Sequence, residues 1–281
     1  MKSVYFIVIA VFFSCSKTEN FVITKLPEPA TKILGHMGSG SGNLLYEEDT
    51  FEGAKFGLSQ LNGIELDLQI SKSGTLWLGH NSALPDCSIY YAGCFSAFSD
   101  DELMKLDSCL GNEKTMSKLE DVFVYMAENY PEKHISLDVK AWFPCVIARL
   151  NTISQMNKIA DEIVRLAIKY KLERNILVES ATQSFLNRVR SKSAEIECYY
   201  MALDKFENAM ELAAKNNFSG ISYKFKTNEN LTPELVETYR KKGLKLQLWT
   251  VNSAEAIQKA LLLKPDYLQT DSINLSLFEL K

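Results

Sequence analysis

The sequence predicts an α/β fold, a closed (β/α)8 barrel that forms a single domain. Eight short β-rich segments alternate with amphipathic helical segments, an order typical of a parallel sheet. The chain has 281 residues, of which 46% are hydrophobic and 23% are charged, so it can bury one large core. A glycine-rich dinucleotide-binding motif is missing after the strands, and at this length the closed barrel is favoured over an open doubly wound sheet.

The N-terminal segment has the pattern of an export signal. Lys2 precedes ten apolar residues, 4–13, which are too few to span a bilayer. The Ser14-Cys15 pair that follows resembles the end of a bacterial lipoprotein signal, with Cys15 lipidated; ordinary secretion is the alternative. We therefore expect a signal peptide at 1–15, a linker at 16–31 and the barrel at 32–281. The protein would be exported by a bacterium and anchored to a membrane, facing the periplasm or the cell exterior.

The barrel strands are predicted where β-branched and aromatic residues concentrate between turn signals. In order, they lie in ILGHMG, GIELDLQI, HISLDVK, NILVES, EIECYYMA, FSGISYKF, KLQLWTVN and DYLQTD, with TLWLGH as an extra hairpin arm after the second. Helices are predicted from apolar residues spaced three and four apart. They cover Met156–Tyr170, Gln183–Ser191, Phe206–Asn217, Pro233–Lys242 and Ala254–Leu263. The segment Gly38–Asn43, GSGSGN, is expected to be a flexible loop.

Charge and cysteine content limit the classes of partner. The formal net charge is −4 and no basic block occurs, which argues against nucleic acid as a partner. A small-molecule substrate is expected instead, and the oligomeric state stays open. In an exported chain a disulfide between Cys87 and Cys94 is plausible, although the pairing among these two and Cys109 is not fixed.

Polar residues stand at the carboxyl ends of the predicted strands, where barrel active sites lie. Alternation along the second strand places Glu65 and Asp67 on one face, in a segment so apolar that a cation is needed beside them. His134 falls at the opposite end of its strand, and we expect it to be structural. The strand-end residues are His36, Glu65, Asp67, His80, Asp138, Lys140, Trp249 and Asp271.

This ordered set of motifs resembles the glycerophosphodiester phosphodiesterases, which are (β/α) barrels. The likeness runs from about Ile33 to the C-terminus. It rests on His36-x-Gly38, Glu48-Asp49-Thr50, Glu65-x-Asp67, His80, Asp138-x-Lys140, Trp249-Thr-Val-Asn252 and Thr270-Asp271. The resemblance implies hydrolysis of glycerophosphodiesters to glycerol 3-phosphate and an alcohol. It also implies a divalent metal at Glu65, Asp67 and Asp138, with His36 and His80 as the acid–base pair.

The chemistry of phosphodiester cleavage needs residues of these types. Three carboxylates make an oxygen cage that suits Mg²⁺ or Ca²⁺. Lys140 adds positive charge near the phosphoryl oxygens, where negative charge develops. Histidines titrate near neutrality and can remove or return a proton. Trp249 is expected to form a wall for the substrate, although an aromatic residue of the core is an alternative interpretation.

Two alternatives stay open because the sequence departs from the usual family pattern. Met37 stands where the family carries an arginine after the first histidine, and methionine cannot clamp a phosphate oxygen. The related sphingomyelinase D toxins also carry methionine there, so phospholipase D-like head-group cleavage of a phospholipid is one alternative. A catalytically inactive barrel used for binding is the other.

Overall fold

The structure is a computed structural model. It describes residues 31–81, 84, 93–106, 116–140, 152–203, 205–227 and 231–273. The predicted signal peptide, its Cys15 and nearly all of the linker therefore lie outside the described residues, as do Cys87 and Cys109. No helix in the described part of the chain is both long enough and apolar enough to cross a membrane.

Eight parallel strands close into a barrel, as the sequence predicts. Their order around the barrel is β1-β9-β8-β7-β6-β5-β4-β2, and pairing of β1 with β2 completes the ring. The short strand β3 adds to β2 in an antiparallel direction, which confirms the predicted hairpin arm. The strands are β1 Lys32–Gly35, β2 Gly63–Ile70, β3 Leu76–Leu78, β4 His134–Asp138, β5 Ile176–Ser180, β6 Glu197–Ala202, β7 Gly220–Lys224, β8 Lys245–Trp249 and β9 Tyr267–Thr270.

The helices of the described segments pack around the outside of the barrel. They are α1 Phe51–Gln60, α2 Asp100–Leu106, α3 Leu119–Asn129, α4 Thr152–Tyr170, α5 Gln183–Lys192, α6 Phe206–Lys215, α7 Pro233–Arg240 and α8 Ala254–Leu262. The last two begin as predicted: the hydroxyl oxygens of Thr232 and Ser253 accept hydrogen bonds from backbone N–H groups of the first turns. The five predicted helices are confirmed to within a few residues at each end.

The main hydrophobic core lies between the strands and these helices. Outward-facing residues of β4, such as Ile135 and Leu137, belong to one cluster with Ile159 and Ile163 of α4, and all four are buried. Burying a side chain of this size contributes about 1.5–3 kcal/mol, so this layer provides most of the driving force for closing the barrel. The polar side chains at the strand ends lie on the other, inward face of the barrel.

The inward face changes from apolar to polar along the barrel axis. Leu34, Leu177, Tyr199 and Tyr267 form a small apolar cluster low in the barrel. Above it, the carboxylate of Glu179 accepts hydrogen bonds from inward-facing side chains of three other strands. The donors are the hydroxyls of Ser136 (2.9 Å) and Ser222 and the amide of Gln269 (2.6 Å). These bonds hold a polar layer directly beneath the mouth of the barrel.

The hairpin arm carries its own small core. Trp77 of β3 is fully buried and clusters with Leu84, Phe95 and Leu103. Cys94 is disulfide-bonded, as the sequence suggested, and the cysteine that bonds it lies outside the described residues.

A charged group lines the floor of the barrel, at the amino ends of the strands. The Nε2 atom of His134 lies 2.7 Å from the ammonium nitrogen of Lys32, while Lys245 pairs with Glu197. His134 therefore lies at the end of the barrel away from the strand-end residues, which is the position that the sequence predicts for it. Burial, together with the nearby Lys32 ammonium, lowers the pKa of His134 to about 4.

We expect the pKa of His134 to make stability depend on pH. An unfolded histidine has a pKa near 6.5, so between pH 6.5 and 4 the unfolded chain binds more protons at this position than the folded chain. The free energy of unfolding should therefore fall as the pH falls through this range. The loss should reach about 2 kcal/mol, allowing for solvent screening of the partly exposed ring.

Urea unfolding at pH 7 and pH 4.5 measures this effect. His134→Gln should lose less stability than the wild type over that range, and Lys32→Met, which keeps the imidazole, should show a partial effect. Equal losses in wild type and His134→Gln would contradict the prediction.

Candidate active site

Three carboxylates converge at the carboxyl ends of β2 and β4. Glu65 and Asp67 share the inward face of β2, and Asp138 pairs with Asp67 in the register of the two strands. One ligand oxygen from each acid lies within 4.8 Å of the others, and all three residues are buried. The structure thus brings together the three acids that the sequence predicted as metal ligands.

The electrostatics of this cluster favour a bound cation. Burial raises the pKa of Glu65 and of Asp138 well above the usual range, and repulsion from Asp67 adds to both shifts. The Oδ1 atom of Asp138 is buried and has no hydrogen-bond partner in the structure. A divalent cation would fit this set, since it would satisfy the unpaired oxygen and relieve the repulsion among the acids.

Lys140 lies against two of the three acids. Its ammonium group donates to the carboxylates of Asp67 and Asp138. Burial alone would lower the pKa of Lys140, but the two carboxylates outweigh burial and raise it, so the lysine stays charged. A permanent positive charge is thereby fixed beside the oxygens that would hold a metal.

His36 follows β1 and lies beside the acid cluster. Its Nδ1 atom is 2.7 Å from Oδ1 of Asp271, and its Nε2 atom is 3.8 Å from Oε2 of Glu65. A carboxylate only accepts hydrogen bonds, so Nδ1 carries the proton and, in the neutral ring, Nε2 is free to accept one. The ring is therefore oriented with its basic nitrogen toward the acids.

Asp271 is the residue that orients His36, a role that the sequence did not reveal. It also accepts hydrogen bonds from the backbone N–H of Ser41, at 2.9 Å, and from the side-chain amide of Asn252, at 2.6 Å. Burial would raise the pKa of Asp271, but the hydrogen bonds from His36 and Ser41 outweigh it and lower the pKa. The available signal was its place after the last strand, in Thr270-Asp271.

The segment between β1 and α1 supports the acids from one side. The backbone N–H of Met37 donates to Oε2 of Glu65 at 2.9 Å, and Oδ1 of Asp49 accepts from the backbone N–H of Asp67 at 3.0 Å. Both Met37 and Asp49 have a positive φ, 49° and 53°. The GSGSGN loop is attached to the site, because the backbone N–H of Ser41 within it donates to Oδ1 of Asp271. Met37 and Asp49 belong to the sequence motifs, but their hydrogen bonds to Glu65 and Asp67 could not be derived from the sequence.

His80 lies at the mouth but does not join the cluster in the same way as His36. The backbone N–H of the preceding Gly79 donates to the carbonyl of Asp67 at 3.0 Å, which places His80 near the end of β2. Its ring is exposed, and its Nδ1 atom lies 3.3 Å from Oδ1 of Asn81. The structure thus leaves the predicted role of His80 as a prediction.

Trp249 ends β8 on the inward face. Two residues earlier on the same strand, Gln247 donates to Ser222 in the interior of the barrel at 3.1 Å, which fixes the side of the sheet that Trp249 faces. The ring is partly exposed, while its Nε1 atom is buried and makes no hydrogen bond in the structure. This position suits the predicted wall for a substrate.

The sequence matches the model of the glycerophosphoryl diester phosphodiesterase family over residues 40–275. The chain belongs to this family. It is therefore a phosphoric diester hydrolase, and the inactive binding barrel considered from the sequence is set aside. The resemblance stated from the motifs is confirmed; the match covers the strand-end residues from Glu65 to Asp271 and the helices between them, while His36 lies just before its start.

Relatives of this chain agree with it in sequence and fold. A glycerophosphodiester phosphodiesterase of Caldanaerobacter subterraneus subsp. tengcongensis is 23% identical over 247 residues, 86% of this chain and 94% of the relative. A solved glycerophosphodiester phosphodiesterase from Parabacteroides distasonis has a TM-score of 0.71 and 16% identity, with 88% of this chain and 94% of that chain covered. A phosphodiesterase from Oleispira antarctica, solved with the product sn-glycerol-3-phosphate, has a TM-score of 0.69 and 18% identity; 90% of this chain and 98% of that chain are covered.

Proposed function

We propose that the protein hydrolyses glycerophosphodiesters to glycerol 3-phosphate and an alcohol, using a divalent metal, Mg²⁺ or Ca²⁺. The observation that carries the proposal is the cluster of Glu65, Asp67 and Asp138, with the Nε2 atom of His36 directed at it. Family membership gives the type of reaction, and these residues supply the groups that it needs.

The three acids would hold the metal, and the metal would supply positive charge for the phosphoryl oxygens. Lys140 adds a second positive charge on the same side and stabilises the negative charge that develops on these oxygens. Its two carboxylate partners, Asp67 and Asp138, hold the ammonium group at the ends of β2 and β4.

His36 is placed to move a proton. With Nδ1 bonded to Asp271, its Nε2 atom can accept a proton from the attacking nucleophile, and Asp271 stabilises the imidazolium that results. His80 is proposed as the partner that returns a proton to the leaving alcohol, since it stands at the mouth beside the end of β2. Trp249 would pack against the substrate.

Product analysis with the purified protein tests this function. Glycerophosphocholine and glycerophosphoglycerol should each yield glycerol 3-phosphate, and EDTA should stop the reaction until Mg²⁺ or Ca²⁺ is restored. Cleavage that releases free choline or another alcohol only from lysophospholipids, with no action on the glycerophosphodiesters, would overturn the proposal.

Head-group cleavage of a phospholipid is a second candidate because of one surface feature. Leu44 and Leu45, in the segment after β1, are 99% and 82% exposed. The side chain of Asn43 accepts hydrogen bonds from the backbone N–H groups of Leu45 and Tyr46, so the turn itself holds these leucines out. The same segment binds Asp271, so an apolar surface stands close to the site. The product analysis separates the two candidates.

We also propose that the protein is exported and attached to a bacterial membrane through Cys15. The signal-like run that ends in Ser14-Cys15 supports this. Cys15→Ala should release the protein from the membrane fraction or leave an unprocessed precursor. Ser14→Ala, which keeps a small residue before the cysteine, should behave like the wild type. Unchanged fractionation of Cys15→Ala, with equal incorporation of a fatty-acid probe, would refute the anchor.

A further inference from the structure

A lysine faces the interior of the barrel at the mouth, and the proposed reaction does not use it. Lys224 is the last residue of β7 and pairs with Trp249, the last residue of β8, in the register of the two strands. Ser222, two residues before Lys224, binds Glu179 inside the barrel. Since side chains two apart on a strand share a face, Lys224 points over the opening.

The order of the strands places this lysine across the mouth from the acids. Around the ring of eight, β7 is four positions from β2 in both directions, so Lys224 stands opposite Glu65 and Asp67. In the same way Trp249 stands opposite Asp138. A phosphodiester bound at the metal site and Lys140 extends two ends, the glycerol and the alcohol, and the side of the mouth that carries Lys224 and Trp249 lies across from its phosphate.

The positive charge of Lys224 is available to a ligand. The side chain is exposed, and among the described residues no carboxylate forms an ion pair with it. Its ammonium nitrogen lies 5.5 Å from the centroid of the Trp249 ring, over the aromatic face. A cation already covers the surface that would otherwise attract a quaternary ammonium group.

We propose that Lys224 determines specificity by the charge of the leaving alcohol. It favours substrates whose alcohol carries a second anionic group, such as a phosphate, and disfavours choline, whose ammonium group would meet a like charge against Trp249. The inference rests on the proposed function, since it takes a phosphodiester bound at the acids as its starting point. Electrostatic contacts of this kind act mainly on selectivity.

The test compares kcat/KM for two substrates that differ in the charge of the alcohol: glycerophosphoinositol 4-phosphate and glycerophosphocholine. The wild type should prefer the former. Lys224→Gln should reduce that preference by about fivefold, the size of an exposed charge interaction. Lys224→Glu should reduce it further, and Lys224→Arg should retain it.

The controls separate a local charge effect from a general one. Lys241→Gln removes another exposed lysine, which lies between α7 and β8 at the floor end of the barrel, and should leave the preference unchanged. Raising the salt concentration should weaken the wild-type preference toward that of Lys224→Gln.

The outcomes distinguish this inference from the proposed function. Hydrolysis of both substrates with the same preference in wild type and Lys224→Glu would overturn the role of Lys224 alone. Failure of the wild type to hydrolyse any glycerophosphodiester would overturn the proposed function and this inference with it.

Discussion

Replacement of His36 by alanine is expected to lower kcat by about 10²–10⁴-fold, the usual contribution of general acid–base catalysis. KM should change much less, because Lys140 and the metal that the three acids would hold still bind the phosphate. The reason is geometric: Nδ1 of His36 is fixed by Asp271, so Nε2 faces the cluster and no other described imidazole takes that position. Steady-state kinetics with a glycerophosphodiester measures the effect.

Asp271→Asn provides the companion experiment. It keeps the size of the side chain but removes the charge that orients His36, and we expect a loss of about 10- to 100-fold in kcat. The double variant with His36→Ala should be no slower than His36→Ala alone, since the two residues act as one unit. His134→Gln, which alters a histidine at the floor of the barrel, is the matched control. Additive losses in the double variant would show that Asp271 does not act through His36.

Glu65→Gln is expected to abolish metal binding and with it activity. In the wild type, a divalent metal should raise the melting temperature, because it binds only the folded state and neutralises three buried acids. In Glu65→Gln that increase should disappear, while stability in EDTA should be equal to or higher than that of the wild type, since one buried carboxylate has been removed.

Thermal unfolding with and without EDTA tests this without any measurement of activity. Glu197→Gln is the matched control, because Glu197 is also an inward-facing acid but lies at the floor of the barrel, beside Lys245. Glu197→Gln should keep the full metal-induced increase in melting temperature. A shift of normal size in Glu65→Gln, or full wild-type activity in EDTA, would refute the metal site.

The strands could be predicted because each carries its own local signal. In β2, acids and apolar residues alternate, so both the strand and the inward face of Glu65 and Asp67 follow from a period of two. The helix α1 gives a weaker signal, since Gly53 and Gly57 lie within it, and it was not among the predicted helices. Its start is fixed by Thr50, whose side chain accepts from the backbone N–H of Gly53.

The partners within the site could not be predicted, because they depend on closure of the barrel. His36 and Asp271 are 235 positions apart, and no local pattern joins them. Lys224 lies within the predicted strand FSGISYKF, and only the order of the strands shows that it stands opposite the acids. Local periodicity gives the face of a residue, whereas its neighbours across the barrel come from topology.

The pairing of β1 with β9 determines when the site becomes complete during synthesis and folding. His36 follows β1, the first strand of the described residues, and Asp271, whose carboxylate orients it, follows β9, the last of them. A nascent or interrupted chain therefore holds an imidazole with no fixed direction, whatever part of the barrel it has already formed. The orientation of His36 is complete only when β9 has docked beside β1, so during biogenesis turnover would report that the chain has been made as far as Asp271 and that the barrel has closed.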